Sequence, residues 1–233
     1  MIHKSNNRRG AVMRRKLFIF VVLIAVVLVA VALLWLNKES QGHLGDYLIW
    51  RWMATFKQPV MPVDDYRVLV TKADRLLQVY RAGELIAQYP VAISRHGTGK
   101  RQNWEDELTP EGEFRIASMQ YQSRFGPRQM LLDTTVHSLA DYAAQYGETG
   151  RSRLTTWEQQ HGPLDTIWEV YDFNEANPAH PIWNDILIHG GGTDRDWTWG
   201  CIALDNNDLI ALFETLQQSS QRGLGVAVEI RPK

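Results

Sequence analysis

From Tyr66 onward, apolar and polar positions alternate in short runs, the period-two pattern of half-buried strands. Tyr66–Thr71 and Leu76–Tyr80 are two such runs, separated by a Lys-Ala-Asp-Arg turn, and Leu85–Ile93 follows the Ala82-Gly83 pair. A polar loop runs from Ser94 to Glu107. Thr109-Pro110-Glu111-Gly112 reads as a turn opening onto a strand over Glu113–Ala117, and Gln129–Asp133 as a further strand. The pattern then changes. His137–Tyr146 and Arg153–Gln160 read as helical within a polar, aromatic-rich insertion, and β texture returns at Ile167–Tyr171 and Asp185–His189. Asp208–Gln218 places Leu209, Ile210, Leu212, Phe213 and Leu216 at helical spacing, with Asp205 or Asn206 available as its cap. Gly225–Arg231 reads as a closing strand. This order is not a regular β-α-β alternation, which argues against a doubly wound parallel sheet. It predicts a domain that is mainly β with some α: a sandwich or folded-over sheet with helices at its edge and a helical insertion over about 134–180.

The first part of the chain has a different texture. Leu17 to Leu36 is an unbroken apolar run, and roughly 20 helical residues span one hydrocarbon core of about 30 Å. Lys4, Arg8, Arg9, Arg14, Arg15 and Lys16 precede it with no acidic residue among them. The positive-inside rule then leaves the basic tail, 1–16, in the cytoplasm. It makes 17–36 a single-pass anchor and puts the rest on the extracytoplasmic side. A cleaved signal peptide is the rival reading, but Ala30-Val31-Ala32, the candidate cleavage signal, lies inside the apolar run. Between anchor and domain, 37–65, Gly42 to Lys57 carries Trp50, Trp52 and Phe56 and reads as an amphipathic helix, either on the membrane surface or packed on the domain. Gln58-Pro59-Val60-Met61-Pro62 reads as a linker.

Charge narrows the partners. With the six basic residues of the tail set aside, 19 Lys and Arg face 26 Asp and Glu, so the remainder is acidic, at about −7. That excludes a nucleic-acid-binding surface.

The chain has one cysteine, Cys201. In an oxidising compartment it cannot form an intrachain disulfide, which leaves an intermolecular bridge, an inert buried residue or a reactive thiol. Its surroundings bear on the third. His189 lies twelve positions upstream, followed by Gly190, Gly191 and Gly192, and each of the two residues ends a short β-type segment. Neighbouring strands can bring such a pair together, with the histidine as base for a thiolate nucleophile. Gly200 lets a carbonyl approach the backbone, where the amides of Gly200 and Cys201 can form an oxyanion hole. Trp197 and Trp199 flank the cysteine and are the candidates for substrate contact.

Other motifs carry less. Ser94-Arg95-His96-Gly97-Thr98-Gly99-Lys100 lacks P-loop spacing and reads as a solvated or substrate-facing loop. His137, His161 and His180 lack ligand spacing, so no metal is expected.

The stretch from about Tyr66 to Pro232 resembles the L,D-transpeptidase catalytic domain family, the YkuD-type domain of bacterial cell-wall enzymes. Leu76 to Leu85, Tyr89 to Ile93 and Thr109-Pro110-Glu111-Gly112 resemble the family's opening strands and its Thr-Pro-x-Gly turn. Ile188-His189-Gly190, then Thr198-x-Gly200-Cys201-Ile202, then Leu204-x-Asn206-x-Asp208 resemble its catalytic stretch. The resemblance implies an L,D-transpeptidase-like fold and a cysteine that attacks the diaminopimelate carbonyl of a peptidoglycan stem peptide. The cysteine expels D-alanine and passes the acyl group to an amine. It implies Cys201 as nucleophile, His189 as base and the Gly190 carbonyl as orienter of His189. Thr198 and Trp199 would then line the pocket, the Gly200 and Cys201 amides would serve as oxyanion donors, and no cofactor is needed. Two features depart from the family: Ala203 stands where an arginine is usual, as in a branch that includes enzymes detaching lipoprotein from peptidoglycan, and the insertion exceeds a minimal domain. Three readings follow: a membrane-anchored acyltransferase, a hydrolase using the same site, and a silent peptidoglycan-binding scaffold.

Overall fold

The computed structural model describes residues 65–219 and 222–233. The basic tail, the apolar run over 17–36 and the helix-and-linker stretch up to Asp64 lie outside the described residues. No helix among the described residues is long and apolar enough to cross a membrane.

Eight strands form one sheet: β1 (Tyr66–Thr71), β2 (Leu76–Arg81), β3 (Glu84–Pro90), β4 (Gly112–Gln120), β5 (Gln129–Asp133), β6 (Leu187–His189), β7 (Ile202–Ala203) and β8 (Ala227–Arg231). Their spatial order is β3-β2-β1-β8-β4-β5-β6-β7. Most neighbours are antiparallel, whereas β1–β8 and β6–β7 run parallel. The sheet curls until its two ends meet. Just past β3, the Ala92 amide donates to the Ala203 carbonyl of β7 at 2.9 Å, and the Ala203 amide returns the bond at 2.8 Å. The expected folded-over sheet is therefore realised by closure of one sheet on itself. Alternation along the strands does the sorting. Val68, Val70, Leu77, Val79, Phe114, Ile116, Val228 and Ile230 fill the interior.

Three helices complete the domain: α1 (Thr135–His161), α2 (Ile167–Ala176) and α3 (Asn206–Gln217). α3 buries Leu209, Leu212, Phe213 and Leu216, one face at i, i+3, i+4 and i+7, against the main core. The insertion holds α1 and α2 around a second apolar cluster of Tyr142, Leu164, Val170, Phe173 and Ile182. α1 is two helical segments that meet at Gly147, where φ is 56°.

Ile167–Tyr171, which reads as β, is the first half of α2. Val170 and Phe173 face the insertion core, while Ile167 and Trp168 pack on Ala117 and Leu131 of the sheet. Burial on two sides makes the segment a continuous apolar run, which periodicity cannot tell from a strand. The overlooked signal is Thr166-x-x-Glu169, a capping-box spacing, although the Thr166 hydroxyl bonds the Glu169 carboxylate and not a helix amide.

Candidate active site

The site sits where β6 and β7 run side by side. Ile188 pairs with Ile202 and His189 with Ala203. Ile188 and Ile202 point into the main core, so by alternation His189 and Cys201 project from the opposite face, one strand apart and two positions along.

His189 is 1% exposed. Phe125 stacks on its ring with centroids 4.7 Å apart, and Trp197 meets it edge-on at 5.4 Å. Its Nδ1 lies 2.6 Å from the Gly190 carbonyl oxygen. A carbonyl can only accept, so Nδ1 carries the proton and Nε2 is left as the basic nitrogen. Burial pulls the imidazole below its ordinary value, the Gly190 bond pulls the other way, and Arg124 adds to the lowering. Gly190 itself must be glycine: a Cβ would stand 2.2 Å from Asn206 Oδ1, the oxygen that also accepts from the Gly191 amide at 3.1 Å.

Cys201 follows a loop pinned to the sheet. Asp196 accepts Arg75 Nε at 2.9 Å and the Ile93 amide at 3.0 Å. The Trp197 indole donates to the Gly192 carbonyl at 3.1 Å. Thr198 closes the last turn, its hydroxyl donating to the Cys201 carbonyl at 2.7 Å and accepting from the Gly200 amide at 3.3 Å. The Gly200 amide is thereby engaged. Among the described residues no carbonyl accepts from the Cys201 amide, which stays available to an oxyanion.

Cys201 is partly exposed. The sulfur accepts the Leu187 amide at 3.4 Å and donates to the Asp185 carbonyl at 3.4 Å. These bonds, not a bond to His189, hold the resting thiol. Burial pushes it up to about 11; the Asp185 carboxylate adds to this, while the Leu187 bond, Arg101 and Arg124 oppose it. Burial thus favours the neutral form of both the Cys201 thiol and the His189 imidazole.

Five residues around the pair carry no signal in the sequence. Asp185 holds a left-handed backbone, φ 61°, and its carboxylate accepts the Tyr171 hydroxyl of α2, so the insertion reaches the surroundings of Cys201. Burial, then Asp185 and Cys201, raises the Tyr171 phenol. Phe125 and Arg124 lie on the chain between β4 and β5, Arg124 capping the Phe125 ring at 4.6 Å. Arg101, from the polar loop, is buried under Gly200. None of the five shares periodicity or spacing with His189 or Cys201, and only closure of the fold brings them there.

Trp199 is 64% exposed at the rim, with the Arg95 guanidinium 5.2 Å from its ring. Arg95 also pairs with Glu107 at 2.8 Å, and His96 stands 2.9 Å from the same carboxylate. These two partners, Arg95 first, hold Glu107 below the ordinary carboxylate range. The loop containing His96 therefore lies beside Trp199, two residues before Cys201. Lys72 roots it, donating to the Gly99 and Thr109 carbonyls at 2.7 and 3.0 Å. Among the described residues the remaining histidines are in packing roles: His137 Nε2 donates to the Glu113 carbonyl, His161 stacks on Trp157 and His180 meets Tyr146 edge-on. Among the described residues no cluster of His, Cys, Asp and Glu is arranged to hold a metal.

The family model of the L,D-transpeptidase catalytic domain, YkuD, matches residues 65–230. The chain belongs to this family. Solved structures similar to this L,D-transpeptidase domain include the helical cell shape determining protein Pgp2 of Campylobacter jejuni. That match has 19% identity and a TM-score of 0.43, covering 78% of this chain and 55% of that one. Bd1075 of Bdellovibrio bacteriovorus matches at 17% identity and a TM-score of 0.41, over 73% of this chain and 49% of that one. L,D-transpeptidase 1 of Mycobacterium tuberculosis matches at 16% identity and 0.34, over 72% and 61%. The chain spans about half to three-fifths of the length of these proteins. No curated protein sequence matches it.

Proposed function

We propose that the chain is a membrane-anchored cysteine acyltransferase acting on peptidoglycan stem peptides. Nε2 of His189 takes the proton of the Cys201 thiol, and the sulfur adds to the carbonyl of a diaminopimelate residue. The Cys201 amide meets the oxyanion. The imidazolium returns the proton to the departing nitrogen, and D-alanine leaves a thioester on Cys201. An acceptor amine then attacks the thioester, giving up its proton to Nε2, and the thiol is regenerated as the new amide forms. The exposed Trp199, with Arg95 behind it, offers a face for substrate at the cleft mouth. The apolar run Leu17–Leu36 supports placing the domain outside the cytoplasmic membrane.

One observation carries this reading: the only thiol of the chain and a buried imidazole, oriented by the Gly190 carbonyl, share one face of adjacent strands. The test incubates the purified chain with tetrapeptide muropeptides and resolves the products by mass spectrometry. Cross-linked dimers with loss of D-alanine are expected. Shortened stems without cross-links mark a hydrolase on the same site. Unchanged muropeptides overturn the enzyme reading and leave the scaffold.

A further inference from the structure

A buried cation needs a reason to be where it is, because desolvation without an anionic partner costs several kcal/mol. Arg101 is such a cation, 4% exposed. Its guanidinium is nested in carbonyls. Nε donates to Asn103 at 3.1 Å, Nη2 to Trp104 at 2.9 Å, and Nη1 to both Leu108 at 3.1 Å and Trp199 at 3.2 Å. The Trp183 ring lies 5.3 Å from Cζ.

Among the described residues no carboxylate lies within 4.0 Å of it. The nearest acids are engaged elsewhere: Asp106 accepts the Gln102 and Asn103 amides, Glu107 pairs with Arg95, and Asp141 accepts the Trp183 indole. The Trp199 carbonyl that Arg101 grips is two residues before Cys201. Gly200, between them, has φ 114°, and a Cβ there would stand 2.5 Å from Nη1. The backbone at Gly200 is thus shaped to the guanidinium.

We propose that Arg101 is a positioning residue of the nucleophile: a permanent cation under the Gly200 turn that stabilises negative charge on the Cys201 sulfur. This deepens the acyltransferase reading and rests on it. The step it assists breaks the S–H bond of Cys201, leaves the electron pair on sulfur and places the proton on Nε2 of His189. The other charged or titratable groups facing the sulfur are Asp185, Tyr171 and Arg124. Asp185 opposes the charge, and Arg124 supports it from the exposed rim, where solvent screens it. Arg101 is the supporting cation that solvent does not screen. Among the charges that act on Arg101, an ionised Cys201 is the strongest.

The experiment compares the full-length wild type with Arg101→Gln and Arg101→Lys. It reads the pH profile of Cys201 alkylation by iodoacetamide, with thermal melting in parallel. Alkylation follows the thiolate and does not require any peptidoglycan substrate. The Gln profile is expected to move to higher pH by about one unit, the size of effect a nearby opposite charge exerts. The Lys profile should stay close to wild type while its melting temperature falls, because the ammonium keeps the charge but loses the fork of carbonyl bonds. Equal displacement in both variants, or none in either, makes Arg101 a structural strut and overturns the proposal. Should Arg101→Gln fail to fold, Arg101→Lys decides alone, since a Lys profile displaced by a full unit is incompatible with a charge-based role. An Arg101-dependent profile in a protein that leaves muropeptides unchanged preserves this inference and removes the acyltransferase reading; the reverse result removes only this inference.

Discussion

The two halves of the candidate site are built on opposite principles. His189 is held in an aromatic box of Phe125 and Trp197, with one backbone carbonyl as its polar partner. Cys201 is surrounded by polar and charged groups: the Asp185 carbonyl and carboxylate, the Leu187 amide, Arg101 and Arg124. Burial favours the neutral form in both, lowering the base and raising the acid. On the histidine side only Arg124 adds a charge effect, and it works in the same direction as burial. On the cysteine side three charges compete. The orientation of His189 therefore depends on packing, and the ionisation of Cys201 depends on electrostatic balance.

The most severe test of this contrast removes either reacting group. Cys201→Ala is expected to abolish muropeptide turnover, by at least ~10³-fold, while melting cooperatively near wild type. His189→Ala should lose about 10²–10⁴-fold, the range attributed to a general base. Wild-type turnover in Cys201→Ala, measured by product mass spectrometry, places the nucleophile elsewhere.

Opening the aromatic box comes next. Because Nε2 must be unprotonated to act, activity is expected to fall on the acid side only below the ordinary histidine value of about 6.5. Phe125→Ala admits water to the ring and should move that acid limb upward by about half a unit to one unit. An unmoved limb in the kcat/KM profile means that burial by Phe125 does not set the basicity of His189. Stability follows the same sign. Below about pH 6.5 the unfolded chain binds a proton at this position more readily than the folded one. The stability linked to neutral His189 is complete above that pH and is lost as pH falls through the lower, folded value. Wild type should therefore lose more melting temperature between pH 7 and pH 5 than His189→Phe.

The smallest effect is expected where the insertion touches Asp185, beside Cys201. Tyr171→Phe removes the hydroxyl that donates to Asp185, a hydrogen bond whose net worth is about 0.5–1.5 kcal/mol. The unpartnered carboxylate then disfavours the Cys201 thiolate more strongly. Alkylation at a fixed mildly alkaline pH should slow by about two- to fivefold, the lower part of the roughly two- to twelvefold that this energy converts to, because only part of the bond energy is felt at the sulfur. Faster alkylation in Tyr171→Phe would show that the Tyr171–Asp185 bond restrains the thiol instead of shielding it.

Much of this molecule was legible along the chain because the relevant physics is local. Alternation over Tyr66–Thr71 and Leu76–Tyr80 reports two faces of unequal polarity, and these are strands β1 and β2. Helical spacing of Leu209, Leu212, Phe213 and Leu216 marks the buried face of α3. The single cysteine, its spacing from His189 and the glycines beside them marked a candidate site along the chain, with a bridging or inert thiol still open. Ile167–Tyr171 was misread because burial on two sides erases the period that distinguishes helix from strand.

Tertiary structure alone decided the environment of the two groups. Arg101 lies 98 positions from the Trp199 carbonyl it holds, and Tyr171 lies 14 positions from Asp185. The spacing predicted that a thiol and an imidazole could meet. Curling of the sheet, sealed between Ala92 and Ala203, brings the loop after β3 back to the edge beside β7, and the insertion contributes Tyr171 from the side. Desolvation and Coulomb interaction depend on distance through space and on the exclusion of water, and neither quantity exists until the chain has closed.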